Sequence, residues 1–186
     1  MSENSGENCL DPYPGRIVTI SIVQTFVSYA LGAAVLYLVG PGYALVFILL
    51  VAVNMIMSPL FRCRFCYYHG KLCSFGMGII AGLLTGKGSG EGFVKPENVY
   101  PVAVMGILTT AVPLIALAYL LVTGFTPAIG VAAVLYLLIA MAPGFYLRPR
   151  VFCNHCVQGR MGCPAYDRMK KGENISGRDE AMNTCS

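Results

Sequence analysis

The chain has 186 residues, of which 56% are apolar and only 12% charged, with a formal net charge of +4. Soluble domains carry roughly 25% charged residues, so this composition excludes an ordinary water-soluble domain and makes lipid the solvent. Trp is absent, which leaves Tyr and Phe to form any aromatic belt at the membrane surface.

Residues 1–16 are polar and acidic. They lack the basic start and short apolar core of an export signal and read as a tail. From Ile17 to Phe61 no Asp, Glu, Lys, Arg or His occurs, a run of 45 residues. One spanning helix needs about 20 apolar residues, so 17–61 is a transmembrane hairpin. Helix one covers Ile17 to Val39, Gly40-Pro41-Gly42 breaks it, and helix two covers Tyr43 to Phe61. Residues 62–98 follow as a cysteine knuckle, an apolar segment too short to span (Ser74 to Thr85) and a Gly-rich linker (Gly86 to Gly92). The apolar segment is expected along the interface or under the cysteines, and the linker is expected to be flexible, since it lacks P-loop spacing.

A second charge-free run, Asn98 to Leu147, covers 50 residues. It assigns a second hairpin to 99–147, with helix three from about Pro101 to Val122, a kink at Pro113, a turn at Thr123 to Pro127, and helix four ending near Leu147. A second knuckle occupies 148–166, and 167–186 is polar and expected to be disordered. The predicted fold is therefore all-α: an integral membrane protein of four transmembrane helices. Three charged segments (1–16, 62–98 and 148–186) then share one side and carry 1, 5 and 7 Lys/Arg, while the opposite turns carry none. The positive-inside rule makes that side cytoplasmic, with both termini inside. On that side the sequon Asn174-Ile175-Ser176 would not be glycosylated.

The halves repeat. Each is a hairpin followed by a cysteine triplet spaced C-x2-C-x6-C: Cys63, Cys66 and Cys73, then Cys153, Cys156 and Cys163, offset by 90 residues. Tyr13-Pro14 and Tyr100-Pro101 precede corresponding helices, and Pro59 and Pro143 lie near the ends of helices two and four. Both halves begin and end on one side, so the repeat is of the parallel kind, with a pseudo-two-fold axis along the membrane normal. That axis brings the two cytoplasmic triplets toward each other.

Disulfides are rare in the cytoplasm, and C-x2-C turns point two sulfurs at one ion. Zinc takes four thiolate or imidazole ligands, one more than a triplet supplies. His69 or His155 could be the fourth ligand or stand behind the ligands; a substrate or water could fill the place; or the halves could share sulfurs. The doubled spacing resembles the binuclear zinc–cysteine cluster of fungal transcription factors. That resemblance implies Cys63 and Cys153 as bridging ligands, Cys66 and Cys73 completing one zinc, and Cys156 and Cys163 the other. It covers spacing only. The family's lysine-rich DNA-contacting stretch is here Tyr67-Tyr68-His69-Gly70-Lys71-Leu72, so no nucleic-acid binding is expected. An iron–sulfur centre is the alternative cofactor, since thiolates also hold iron clusters.

Among other polar groups, Lys71 and Arg160 read as juxtamembrane charge, Gln24 and Asn54 as hydrogen-bonding amides between spans, and Cys9 and Cys185 as incidental. Met55, Met57, Met105 and Met141 read as packing. No ionisable residue lies in the spans, which disfavours ion-coupled transport. Nothing resembles a catalytic triad, a carboxylate pair or a dinucleotide fingerprint, so the reading leans away from an enzyme and leaves the question open. The leading function is a membrane scaffold or accessory subunit whose zinc–thiolate site staples the hairpins and faces a cytoplasmic protein partner. A membrane redox protein and a small metal exporter or sensor are the alternatives.

Overall fold

The computed structural model describes residues 11–124, 126–141, 152, 156–161, 163 and 166. Every regular element among them is helical. Helix α1 is Gly15–Val39, α2 is Pro41–Phe61, α3 is Met77–Leu84, α4 is Pro96–Thr123, and α5 is Pro127–Tyr136. A π-helical turn, Leu137–Met141, continues α5, and one further turn, α6, covers Val157–Arg160.

The boundaries follow from local chemistry. Helix α1 stops where Gly40 donates its N–H to the Leu36 carbonyl at 3.0 Å. Pro41 then opens α2, two residues earlier than the sequence suggests. Proline is tolerated there because the first helical N–H has no intrahelical partner. Helix α4 starts at Pro96 rather than Pro101 for the same reason, with Glu97 in the first turn complementing the helix dipole. Pro101 and Pro113 both lie inside α4.

Helices α1, α2 and α4 are each long and apolar enough to cross a bilayer. Their outer faces are apolar: Phe26, Leu38, Leu49 and Val122 are 60%, 60%, 59% and 86% exposed. The fourth apolar stretch, Ile129–Ala140, is shorter, and 142–147, expected to finish that span, lie outside the described residues. The second knuckle's Cys153 and His155, Pro143, Cys9, Cys185 and the tail 167–186 lie outside them as well.

Two clusters hold the helices together. One gathers Val35, Leu36, Phe47, Leu117, Ala133 and Tyr136 near the turns that join the helices. Gly32 is central to that approach, because a Cβ there would lie 3.1 Å from both Phe47 and Pro113. Small residues at such crossings let backbones approach closely in lipid. The other cluster, Tyr13, Val18, Tyr68, Phe152 and Val157, sits at the opposite end with Cys66, Cys73 and Cys156 packed on it. Between the clusters lies a polar layer: Ser21 and Thr109 are buried, and Asn54 donates to Tyr29 Oη at 3.5 Å. Gln24 reaches the Ile139 carbonyl of the π turn at 3.4 Å, so both amides bond between helices.

Candidate thiol site between two cysteine turns

The first turn begins where α2 ends. Cys63–Phe65 forms a short 3-10 turn, and successive backbone bonds wind the chain onward: Cys66 N–H to Cys63 O at 3.2 Å, His69 N–H to Cys66 O at 3.1 Å, and Lys71 N–H to Tyr68 O at 3.0 Å. Gly70 then reverses the chain at φ 77, a conformation that costs glycine alone little. Its N–H donates to the Gly78 carbonyl at 2.8 Å.

Helix α3 is the floor of this turn. Gly78 abuts the carbonyl oxygens of Tyr68 and Lys71, and a Cβ on Gly82 would lie 2.7 Å from the Gly70 Cα. The Gly78 N–H also donates to Cys73 Sγ at 3.3 Å. The Gly-rich stretch beyond α3 is not the loose linker expected. Gly88 and Gly92 both lie against the Phe65 ring, Gly88 N–H bonds to Arg64 O at 3.0 Å, and Gly90–Phe93 forms a 3-10 turn. Arg62 lies over the Phe93 ring at 4.7 Å. The glycines are there because an aromatic ring occupies the space their side chains would take.

In the second turn Cys156 precedes α6. Gly159 N–H bonds to Cys156 O at 3.0 Å, matching the His69 to Cys66 bond of the first turn position for position. Cys163 N–H bonds to Gly159 O at 3.3 Å.

The two turns meet through a reciprocal pair of hydrogen bonds. Tyr67 N–H donates to Gln158 Oε1 at 2.6 Å, and Val157 N–H donates to Tyr68 Oη at 3.2 Å. Tyr67 and Val157 each follow a middle cysteine by one residue, and Tyr68 and Gln158 by two. Each half thus offers a backbone donor to the other's side-chain acceptor. Tyr68 is 1% exposed and Gln158 7%, so both bonds work largely out of water.

An N-terminal strap closes over this seam. Tyr13 is 2% exposed; its N–H bonds to Leu72 O at 3.2 Å and its hydroxyl donates to Phe152 O at 2.6 Å. It therefore touches both turns at once, with its ring 5.4 Å from that of Tyr68. Asp11 accepts from Tyr67 Oη at 2.6 Å and from Lys71 Nζ at 2.9 Å. The Tyr67 and Lys71 bonds hold the Asp11 carboxyl below its usual range. Lys71 is engaged by the strap; the Arg160 side chain lies outside the described residues.

Cys63, Cys66, Cys73, Cys156 and Cys163 are all free thiols. Cys63, Cys66 and Cys73 are close enough to act on one another electrostatically, and Cys66 feels Cys156 across the seam. Burial pushes the Cys66 thiol up to about 11, opposed by the Tyr68 N–H on its sulfur. Burial likewise raises Cys156, opposed by the N–H groups of Gly159 and Gln158 and by the Tyr13 side chain. Cys66 and Cys156 thus carry matching donors, from residues two positions on. Such N–H groups favour a charged sulfur.

His69 is turned to another use: its Nε2 lies 3.0 Å from the Thr85 carbonyl, just past the end of α3. Among the described residues, no group of three or more His, Cys, Asp or Glu is arranged to hold a metal ion. Tyr13, Tyr68 and Gln158, which build the seam, were not singled out by cysteine spacing. The Tyr-Pro pair before α1 was the one available signal, and it pointed to the repeat rather than to the site. Comparison of the chain with protein-family models, with curated proteins and with solved structures finds no match.

Proposed function

We propose that this chain is a four-span membrane protein built as a parallel repeat, with a metal–thiolate site, zinc favoured, on its cytoplasmic face. The site staples the two halves, and the protein serves as a scaffold or accessory subunit for a cytoplasmic partner. The reciprocal bonds Tyr67 to Gln158 and Val157 to Tyr68 carry this reading. The bonded pairs lie 91 and 89 residues apart. They exchange under the 90-residue offset that relates Tyr67 to Val157 and Tyr68 to Gln158, as expected of a duplicated unit facing itself across a two-fold axis. Burial raises both thiols, and the matched N–H donors on Cys66 and Cys156 offset part of that; a bound metal, which takes only the deprotonated form, would supply the rest.

The described thiols do not close a metal site among themselves. The reading therefore requires Cys153, which lies outside the described residues. A thiol–disulfide role is less well supported, because buried thiols whose ionisation is suppressed are poor nucleophiles. The excess of Lys/Arg on the cysteine-bearing segments supports the cytoplasmic orientation.

Elemental analysis and an absorption spectrum of the purified protein test the proposal. Tightly bound zinc in a colourless protein, lost in both Cys66→Ser and Cys153→Ser, is the expected result. A brown preparation with a reducible paramagnetic signal would replace the scaffold by the redox reading. Metal-free protein with both variants at normal abundance would remove the metal site.

A further inference from the structure

Helix α3 has two faces of opposite character. Gly78 and Ala81 are buried against the first cysteine turn. Ile79, Ile80, Leu83 and Leu84 are 41%, 42%, 82% and 60% exposed. The helix covers eight residues, too short to cross a bilayer, so its apolar side has no span to belong to.

Its depth says what covers that side. Gly76, immediately before α3, abuts the side chains of Ile22 and Val18 on α1, with a Cβ there 3.1 Å from Ile22. Helix α1 begins at Gly15, and at 1.5 Å per residue Ile22 stands about 10 Å along it. The last charge before it is Arg16. The start of α3 is therefore tucked beside the charge-free part of a spanning helix rather than hung beyond its end. Interfacial helices bury their apolar face about 5–10 Å into the boundary between headgroups and acyl chains, which matches. Helix α3 also packs on α2, whose outward Val53, Ile56 and Leu60 are 47%, 57% and 38% exposed and face the same solvent.

We propose that α3 is a lipid-inserted anchor: Ile79, Ile80, Leu83 and Leu84 lie among phospholipid acyl chains of the leaflet on the cysteine side, while Gly78 and Gly82 hold the Tyr68–Lys71 turn on the opposite face. The first cysteine turn thereby rests on a lipid-embedded floor. This rests on the membrane reading of the chain and is independent of any metal.

The absence of Trp from the chain makes the test clean. Full-length Leu83→Trp, Leu49→Trp on α2 and Glu91→Trp in the exposed 3-10 turn are each reconstituted into phosphatidylcholine vesicles, with and without bromine on the acyl chains. Leu83→Trp is expected to emit at short wavelength and to lose emission to bromine by a fraction close to that of Leu49→Trp, with Glu91→Trp unaffected. Quenching at Leu49→Trp but red-shifted, unquenched emission at Leu83→Trp would show α3 in water and overturn the proposal. Short-wavelength but unquenched emission at Leu83→Trp would show protein covering α3, a second copy or a partner, and overturn it too. Loss of quenching at Leu49→Trp itself would fail the membrane reading instead.

Discussion

Replacing Gln158 by Leu tests the seam at its strongest point. The substitution keeps the volume of a 7%-exposed side chain but removes the acceptor that takes the Tyr67 N–H at 2.6 Å. An unsatisfied, partly buried N–H costs about 1–3 kcal/mol. The companion bond from Val157 to Tyr68 remains, so the turns should part locally rather than the helices unfold. Because about 1.4 kcal/mol is tenfold in an equilibrium, the open population should rise roughly 5- to 150-fold. The assay is the rate of maleimide alkylation at Cys66 and Cys156, read by mass spectrometry in native membranes with and without a chelator. Cys66 and Cys156 should speed up together, while Gln158→Glu, which keeps an acceptor oxygen, should stay near the parent. Unchanged alkylation in Gln158→Leu at both cysteines would refute the claim that this bond closes the seam.

Gly78→Ala should destabilise the protein by about 1–3 kcal/mol or more, as overpacking does, because its Cβ would press on the backbone oxygens of Tyr68 and Lys71. Gly106→Ala, with open space around it inside α4, should instead stabilise by about 0.5–1 kcal/mol; thermal unfolding in detergent separates the two. The strap should respond to acid. Asp11 is held below its usual value, so its contribution is present above the ordinary carboxylate pKa of about 3.9 and lost as the pH falls through the lowered folded value. Amide exchange at Tyr13 should rise over that range, and Asp11→Asn should show fast exchange at neutral pH with no further response to acid. Cys66 behaves in the opposite sense. Its folded value near 11 lies above the free-thiol value of about 8.5, so its contribution is whole below the free value and lost as the pH rises through the folded one. Metal-free protein should lose stability across that alkaline window, and metal-loaded protein should not; a flat profile in the metal-free form would argue against a buried Cys66 thiol.

The helices were legible because charge-free runs as long as 45 and 50 residues admit few other structures. The start of α2 was misjudged because Pro41 was read as part of a break, and that of α4 because Lys95 and Glu97 lie outside the charge-free run, whereas in a first turn proline is an opening residue. The meeting of the two cysteine turns was inferred from the repeat, but the groups that join them were not. Tyr67, Tyr68 and Gln158 carry no motif; their roles depend on which backbone N–H the other half presents, and that is a property of the assembled pair. The Gly-rich stretch was misread for a related reason. Many glycines in a row read as a loose chain until a ring such as Phe65 is found lying against them.

The two clusters of packed side chains sit at opposite ends of the helices, and the layer between them holds Ser21, Asn54 and Thr109. Among the described residues the buried oxygens Ser21 Oγ and Asn54 Oδ1 have no hydrogen-bond partner, which lowers cohesion at mid-height. Such a bundle need not melt as a single cooperative unit. The cysteine end can come apart as its own subglobal step, exposing thiols and the Tyr13 strap while the far ends of the helices stay clasped.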